Sequence, residues 1–342
     1  MSVDQITPGM EQLDLDEIYP FAIQLGKDAG ALLVKGLERR RAESHENEEQ
    51  IEKMNAVDIV TEVDHEVEAF IHTAVSERYP SHAFIGEETY SAGQSKDYLV
   101  DSRPTWIIDP LDGTVNFTHG FPMFCVSIAL VHNHVPVIGV INAPLLNQLF
   151  SACSGKGSWL NESTRLPLLG KNIGPLPKDA PRRCIFACEW GKDRRDSKES
   201  NLGRKVDSFL TMATEPSGRD GLGGMVHGVR SLGSATMDLA YTAMGSVDIW
   251  WEGGCWEWDV AAGICLLNEA GGLVTTANPP EDEKWEEWTD VPAVKLGGRL
   301  YLAIRPATDA RDGSETGRQS QVRVVKEVWK RVRRLDYSRP GA

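Results

Sequence analysis

Trp106-Ile107-Ile108-Asp109-Pro110-Leu111-Asp112-Gly113-Thr114-Val115-Asn116-Phe117 is the stretch that decides how the rest of the chain reads. The apolar run Trp106 to Ile108 predicts a buried strand, ended by an acidic, turn-forming segment. Pro110 disfavours the helical region for Asp109, so that carboxylate is expected to be extended at the strand tip. Asp112-Gly113 signals a turn. A helix beginning near Gly113 would aim backbone N–H groups outward, toward an anion such as phosphate. Carboxylates suit hard cations, and Mg²⁺ is held by few carboxylates together with substrate phosphate oxygens. Asp-Pro-Leu-Asp-Gly by itself is equally at home in a loop without chemistry, because turns of this composition are common.

Upstream, Ala83-Phe84-Ile85-Gly86-Glu87-Glu88-Thr89 is another short apolar strand ending in acid. Adjacent glutamates on a strand face opposite ways, so one of Glu87 and Glu88 is expected to face a site. Val57 to Asp64 mixes strand-like residues with carboxylates and leads into a helix from Asp64 to Tyr79, with Val67, Phe70, Ile71 and Val75 apolar. Asp64 stands where a helix is capped. Ile18 to Arg41 carries a helical apolar stripe, and the charged run Glu38 to Lys53 reads as a solvated connection. Downstream, Phe124 to Val131 and Val135 to Ile141 predict a hairpin around His132-Asn133-His134, whose histidines read as exposed turn residues. Leu149 to Ala152 and Gly155 to Asn161 predict a further strand pair. These strands point to an antiparallel sheet covered by the two preceding helices.

Lys171 to Pro181, rich in Pro, Gly and Lys, reads as a connection, and Ile185-Phe186-Ala187 as the first strand beyond it. The stretch Gly191 to Ser200 is charged, and the glycine-rich stretch Gly218 to Gly228 reads as an extended loop. Val229 to Ala240 predicts a strand, a turn at Gly233-Ser234-Ala235 and a helix. Small residues there let a polyol or phosphate approach the backbone, or let strand and helix pack closely. In Trp250 to Gly263, Asp259 sits at a helix start, where it can cap the helix and bind metal. Trp250, Trp251, Trp256 and Trp258 make this region aromatic, as core or as pocket lining. Asn278 to Val294 is expected to be an exposed insertion, Leu300 to Ile304 a final strand, and Asp309 to Gln319 loose. Val324 to Leu335 predicts a basic terminal helix, docked by a narrow apolar stripe rather than laid on a membrane.

Composition bounds the answer. The 342 residues are 41% hydrophobic and 25% charged, ordinary for a globular protein. A net charge of −14 argues against a nucleic-acid partner, although bound cations can reverse the local field for a phosphorylated substrate. The N-terminus lacks a secretory pattern, and no apolar run is long enough to span a bilayer. Cys125, Cys153, Cys184, Cys188, Cys255 and Cys265 have no short-spaced framework, so reduced thiols in a cytoplasmic protein are expected.

Asp109-Pro-x-Asp-Gly-Thr-x-Asn-Phe117 after an apolar strand resembles the signature of the inositol monophosphatase family, the lithium-sensitive, metal-dependent phosphomonoesterases. Three other segments strengthen the resemblance: Asp58-x-Val-Thr-x-x-Asp64, Gly86-Glu-Glu88, and Trp258-Asp-x-Ala-Ala-Gly263 followed by Glu269-Ala-Gly-Gly272. The chain is also similar to fungal members associated with quinate use. It departs from well-known members at Trp256, where histidine can occur.

The resemblance implies a layered αβαβα sandwich of the inositol monophosphatase/fructose-bisphosphatase type. An α+β half at 1–180 would carry most metal ligands, and an α/β half at 181–342 would carry Asp259 and substrate contacts. It implies two or three Mg²⁺ ions. Glu87, Asp109 and the Leu111 carbonyl would hold one, and Asp109, Asp112 and Asp259 a second. Glu87 and Thr114, with Asp64 on the same water network, would place the attacking water. Asp112, Gly113, Thr114, Gly233, Ser234, Ala235 and Glu252 would bind substrate, Glu252 through its hydroxyls. The implied activity is hydrolysis of a small polyol phosphate, myo-inositol monophosphate first, by a homodimer that binds neither nucleic acid nor membrane. The alternatives are a 3′-phosphoadenosine nucleotide phosphatase, whose family usually has Gly where Asn116 stands, and a non-catalytic quinate-pathway protein. Fructose-bisphosphatases usually carry Ser at the Thr114 position.

Overall fold

The structure, a computed structural model, describes residues 13–42, 51–52, 59–93, 97–282 and 284–339. Asp58 and the start of its segment lie outside the described residues. The chain begins with α1 (Leu15–Ala42), a short ribbon of β1 (Ile51–Glu52) and β2 (Ile59–Val60), and α2 (Glu62–Arg78). Then come β3 (Ala83–Gly86), α3 (Glu87–Ala92), β4 (Thr105–Asp112), the single turn α4 (Thr114–Thr118), β5 (Cys125–His132) and β6 (Val135–Ala143). The strands β7 (Gln148–Cys153), β8 (Gly157–Leu160) and β9 (Thr164–Arg165) complete a seven-stranded sheet in sequence order from β3. Only β3 and β4 pair in parallel; β4 to β9 run antiparallel. The β5–β6 turn puts Asn133 and His134 at φ 50° and 64°, as a two-residue turn matched to strand twist requires.

The second sheet collects β10 (Ile185–Ala187), then, after α5 (Asn201–Ala213), β11 (Gly228–Arg230), and, after α6 (Ala235–Met244), β12 (Ile249–Gly253). After α7 (Glu257–Ala270) come β13 (Leu273–Thr275) and β14 (Leu300–Ile304), and α8 (Gly317–Trp329) follows. Strand order is β11-β10-β12-β14-β13, mixed parallel and antiparallel.

Alternation of side chains along the strands builds the layers. Trp106 and Ile108 of β4 face α1 and α2, packing with Leu25, Leu33, Val67 and Ile71. Ile107 faces the other way, into a core with Leu239 of α6, Val260 and Ile264 of α7, and Trp250 and Tyr301 of the second sheet. The far face of the second sheet, with Phe186, Trp251 and Leu302, is covered by Val324, Val325 and Val328 of α8. The order is therefore helices, sheet, helices, sheet, helix: the layered α+β sandwich. Among the described residues no helix is long and apolar enough to cross a membrane.

Four expectations are corrected. The terminal helix starts at Gly317, and Val332 and Leu335 are buried beyond its end. Asp309 to Gln319 is fixed rather than loose. Asp309 accepts the Gly317 N–H at 2.8 Å, and Glu315 joins Lys178 at 3.0 Å and Arg323 at 2.8 Å. The 278–294 insertion packs on α8, with Trp285 edge-on to Trp329 at 5.5 Å and Asn278 buried. Glu87 and Glu88 begin a helix instead of ending a strand, so they are not on opposite faces of a sheet.

Candidate metal centre

Strand β4 does not stop at Ile108. It continues through Pro110 to Asp112, with its register against β5 shifted between Asp109 and Asp112. A bulge suits this place: Pro110 has no ladder N–H to give, and the irregularity re-aims the carboxylates that flank it. Asp109 is 2% exposed and accepts the Leu111 N–H at 3.0 Å. Gly113 then turns the chain at φ 88°, and a Cβ there would lie 2.7 Å from the Met123 carbonyl, so glycine is required.

The structure brings three of the expected carboxylates together. One oxygen each from Glu87 of α3, Asp109 of β4 and Asp259 of α7 lie within 4.8 Å of one another. Asp259 caps its own helix, accepting the Trp256 N–H at 2.6 Å, as its position in sequence predicted. Asp112 faces the same cluster from the strand end. One of its oxygens accepts the Ser234 hydroxyl at 2.6 Å and the Thr236 N–H at 2.8 Å, so the turn at the head of α6 is bound to the tip of β4. Thr236 in turn donates to the Asp259 carbonyl at 2.8 Å.

The electrostatics follow from burial and crowding. Burial, then the charges of Glu87, Asp112 and Asp259, push Asp109 well above the usual carboxylate range. Burial, then Asp112 and Glu87, do the same to Asp259, opposed by the positive charge of Lys192. Burial also raises Asp112, against the donors from Ser234 and Thr236. Oxygen donors crowded until they resist ionisation are the donor set a hard divalent cation satisfies. The residues present fit Mg²⁺.

Beside the cluster, the Thr114 hydroxyl lies 3.0 Å from the Leu111 carbonyl and 3.4 Å from Asp64 Oδ1. The other Asp64 oxygen accepts the Thr61 N–H at 2.9 Å. Asp64 thus caps α2 and reaches the site at once. Gly233, Ser234 and Ala235 lie at the mouth, and Asn116 ties them to the first sheet by donating to the Leu232 carbonyl at 2.7 Å and the Met123 carbonyl at 2.6 Å.

Glu252 of β12 meets partners from the chain itself. It is 2% exposed, paired with the buried Lys205 of α5, and accepts the Glu189 N–H at 2.8 Å. Its carboxylate also accepts the Gly253 N–H at 2.8 Å, so the chain itself supplies these partners. Two carboxylates escaped the sequence reading. Glu68, four residues after Asp64 on α2, accepts the N–H groups of Glu88 at 2.7 Å and Thr89 at 2.8 Å, and so holds the start of α3 that carries Glu87. Glu189 accepts the Leu232 N–H at 2.6 Å, the Gly233 N–H at 2.9 Å and the Ser231 hydroxyl at 2.7 Å, and so shapes the turn at the mouth. The i, i+4 spacing of Asp64 and Glu68 could have shown that both face inward; nothing local marks Glu189.

Known proteins resemble this chain over most of its length. A Neurospora crassa quinic acid degradation cluster protein is 62% identical over 339 residues, covering 96% of this chain and 97% of the relative. Inositol monophosphatase 2 of Saccharomyces cerevisiae is 37% identical over 285 residues, covering 82% and 85%. The solved inositol monophosphatase from Anabaena superposes with a TM-score of 0.64 at 27% identity, covering 94% of this chain and 98% of that one. Residues 14–333 match the inositol monophosphatase family, and this chain, with its layered fold and its carboxylates gathered where β4 meets α7, belongs to it.

Proposed function

We propose that this protein hydrolyses the phosphate monoester of a small polyol, with myo-inositol monophosphate foremost, to the polyol and inorganic phosphate. The observation that carries the reading is the convergence of Glu87, Asp109 and Asp259 within 4.8 Å, with Asp112 alongside. Glu87, Asp109 and the Leu111 carbonyl would hold one Mg²⁺, and Asp109, Asp112 and Asp259 a second. Bound there, Mg²⁺ supplies charge to the phosphoryl oxygens and makes water a nucleophile at neutral pH.

The remaining work falls to the chain itself. The Thr114 hydroxyl, between Leu111 and Asp64, orients water together with Glu87. The Gly113 and Thr114 N–H groups take phosphate oxygens. The Gly233 to Ala235 turn, held by Glu189 and Asp112, meets the alcohol. On this reading the 1–180 half supplies most ligands, and the 181–342 half supplies Asp259 and the alcohol side.

The 62% identity to a quinic acid degradation cluster protein favours a second reading: the phosphate ester of a hydroxylated cyclic acid. One screen separates them. Phosphate release with Mg²⁺ is measured on inositol 1-phosphate, sugar phosphates, quinate and shikimate phosphates and adenosine 3′,5′-bisphosphate. Preference for inositol 1-phosphate is expected; preference for a carboxylated ester selects the second reading. No release from any ester, with no effect of Mg²⁺, would leave a non-catalytic protein.

A further inference from the structure

The family match ends at residue 333, yet the chain continues and folds back over the start of α7. Two asparagines pin this return. Asn278 exchanges hydrogen bonds with the Leu335 backbone at 2.8 Å each way, and Asn201 does so with Asp336 at 2.9 and 2.7 Å. Tyr337 lies on Gly253 and Gly254; a Cβ on Gly254, at φ 99°, would come within 2.9 Å of its ring. Arg339, 7% exposed, donates from its Nη2 to both oxygens of the fully buried Glu257, at 2.8 and 2.7 Å.

The strap closes on Trp256, the residue at which this sequence departs from well-known family members. The guanidinium of Arg299 sits 3.8 Å from the Trp256 ring centre and that of Arg339 5.1 Å away. Arg299 also bonds the Gly254 carbonyl at 2.7 Å and the Ser338 carbonyl at 3.3 Å, joining the β12–α7 turn to the strap. From Trp256 the contacts run two ways. Its N–H donates to Asp259 at 2.6 Å. Its ring stacks on Trp258 at 5.4 Å and lies 5.9 Å from Tyr90 of α3, the helix that Glu87 begins.

We propose that Arg339, through Glu257 and Trp256, is a positioning residue for the metal centre: the C-terminal strap holds Asp259 and α3 at the spacing a divalent cation needs. This inference rests on the assignment of Asp259 as a metal ligand. One guanidinium nitrogen, Nη2, holds both oxygens of Glu257 while the guanidinium carbon sits over the Trp256 ring, and a lysine ammonium reproduces the first contact more readily than the second. Partners one shell out from a ligand commonly change metal affinity by about 10- to 100-fold.

The test compares the full chain with Arg339→Gln, Arg339→Lys, the neutral pair Glu257→Gln/Arg339→Gln, and Asp259→Asn. The neutral pair leaves no unpaired buried charge, so it reports on the Arg339–Glu257 ion pair even where Arg339→Gln alone does not fold. Mn²⁺ binding is followed by electron paramagnetic resonance without substrate, and amide exchange is read at residues 254–260. The expected result is about 10-fold weaker Mn²⁺ binding in Arg339→Gln and in the neutral pair, with faster exchange at Trp256 and Asp259. Arg339→Lys should recover only part of the loss. Folded variants that bind Mn²⁺ as the parent does, while Asp259→Asn does not, would overturn the strap's role and leave the metal assignment standing. Unchanged binding in Asp259→Asn would remove the assignment, and the inference with it.

Discussion

Two groups of buried and half-buried carboxylates flank the turn from Ser231 to Thr236, and their charges are balanced in different ways. On one side, Glu87, Asp109, Asp112 and Asp259 crowd together, and their mutual repulsion adds to burial in raising Asp109 and Asp259. On the other, Glu252 meets the ammonium of Lys205, and Glu189 accepts three donors from the turn itself. Asp238, in the first turn of α6, is pushed well above the usual carboxylate range by burial and then by the nearness of Glu189. The second group closes on groups the chain supplies. On the proposed reading the first would be completed by a cation from outside. Buried acid is thus no single signal: the source of its countercharge separates a site from its scaffold.

The largest effect should come from breaking the first group. Asp109→Asn removes the charge shared by both proposed cations and is expected to cost about 10³-fold or more in Mg²⁺-dependent phosphate release. The fold should persist, because the change relieves repulsion. Glu252→Gln, in the second group, should leave turnover within a few-fold and KM for a polyol phosphate unchanged. Steady-state phosphate release on both proteins is the check; equal losses would erase the distinction between the groups.

Next is the cation built into the second group. Lys205→Met leaves Glu252 charged, buried and without its ammonium, and should destabilise the protein by about 3–5 kcal/mol. Lys205→Met/Glu252→Gln should recover much of that. Chemical denaturation of both variants measures it. A single variant as stable as the parent would show that the pair contributes nothing.

A pH titration separates the groups more finely. Asp109 and Asp259 have pKa values raised on folding, so between the ordinary carboxylate range and those raised values the folded state binds more protons than the unfolded. Stability of chelator-treated protein must then fall as pH rises, by up to about 1.4 kcal/mol per pH unit for each extra proton held. Mg²⁺, which displaces those protons, should restore more stability at pH 8 than at pH 5. Asp238 contributes the same sign without responding to Mg²⁺. Melting curves with chelator and with Mg²⁺ across this range decide it; a Mg²⁺ increment that shrinks as pH rises would contradict the first group's assignment.

Much of the first group was legible because its signals are local. Asp109 follows an apolar run, Asp112 precedes Gly113, and Asp259 occupies a helix start. Each of these reflects the backbone within a few residues. The scaffold was not legible, because its partners are remote: Glu88 receives Glu68 from 20 residues away, Glu252 receives Lys205 from 47, and Glu257 receives Arg339 from 82. The Lys205 partner of Glu252 was hidden for this reason, since α5, which carries Lys205, lies in a region the motifs do not cover. The bulge at Pro110 was hidden differently: its residues looked like a turn, and pairing with β5 kept them in the strand.

The smallest effect is expected where the two groups meet, at Ser234. Its oxygen does two things: the hydroxyl donates to Asp112 at 2.6 Å, and the same oxygen accepts the Met237 N–H at 3.1 Å as the cap of α6. Ser234→Ala removes both. Loss of the cap alone should cost about 1 kcal/mol of stability. Loss of the donor acts on the site: a hydroxyl that bonds the ionised form of Asp112 lowers its pKa, so without it the carboxylate holds its proton to higher pH. The acid limb of the pH–rate profile should therefore move upward, and half-activation by Mg²⁺ should rise a few-fold, while kcat at saturating Mg²⁺ and alkaline pH stays near the parent's. The Thr236 N–H still bonds Asp112, which keeps the effect small. Ser234→Thr retains the hydroxyl and should show neither shift. An acid limb that moves down, or one that moves equally in Ser234→Thr, would mean that Ser234 only caps its helix and that Asp112 owes its ionisation to other groups.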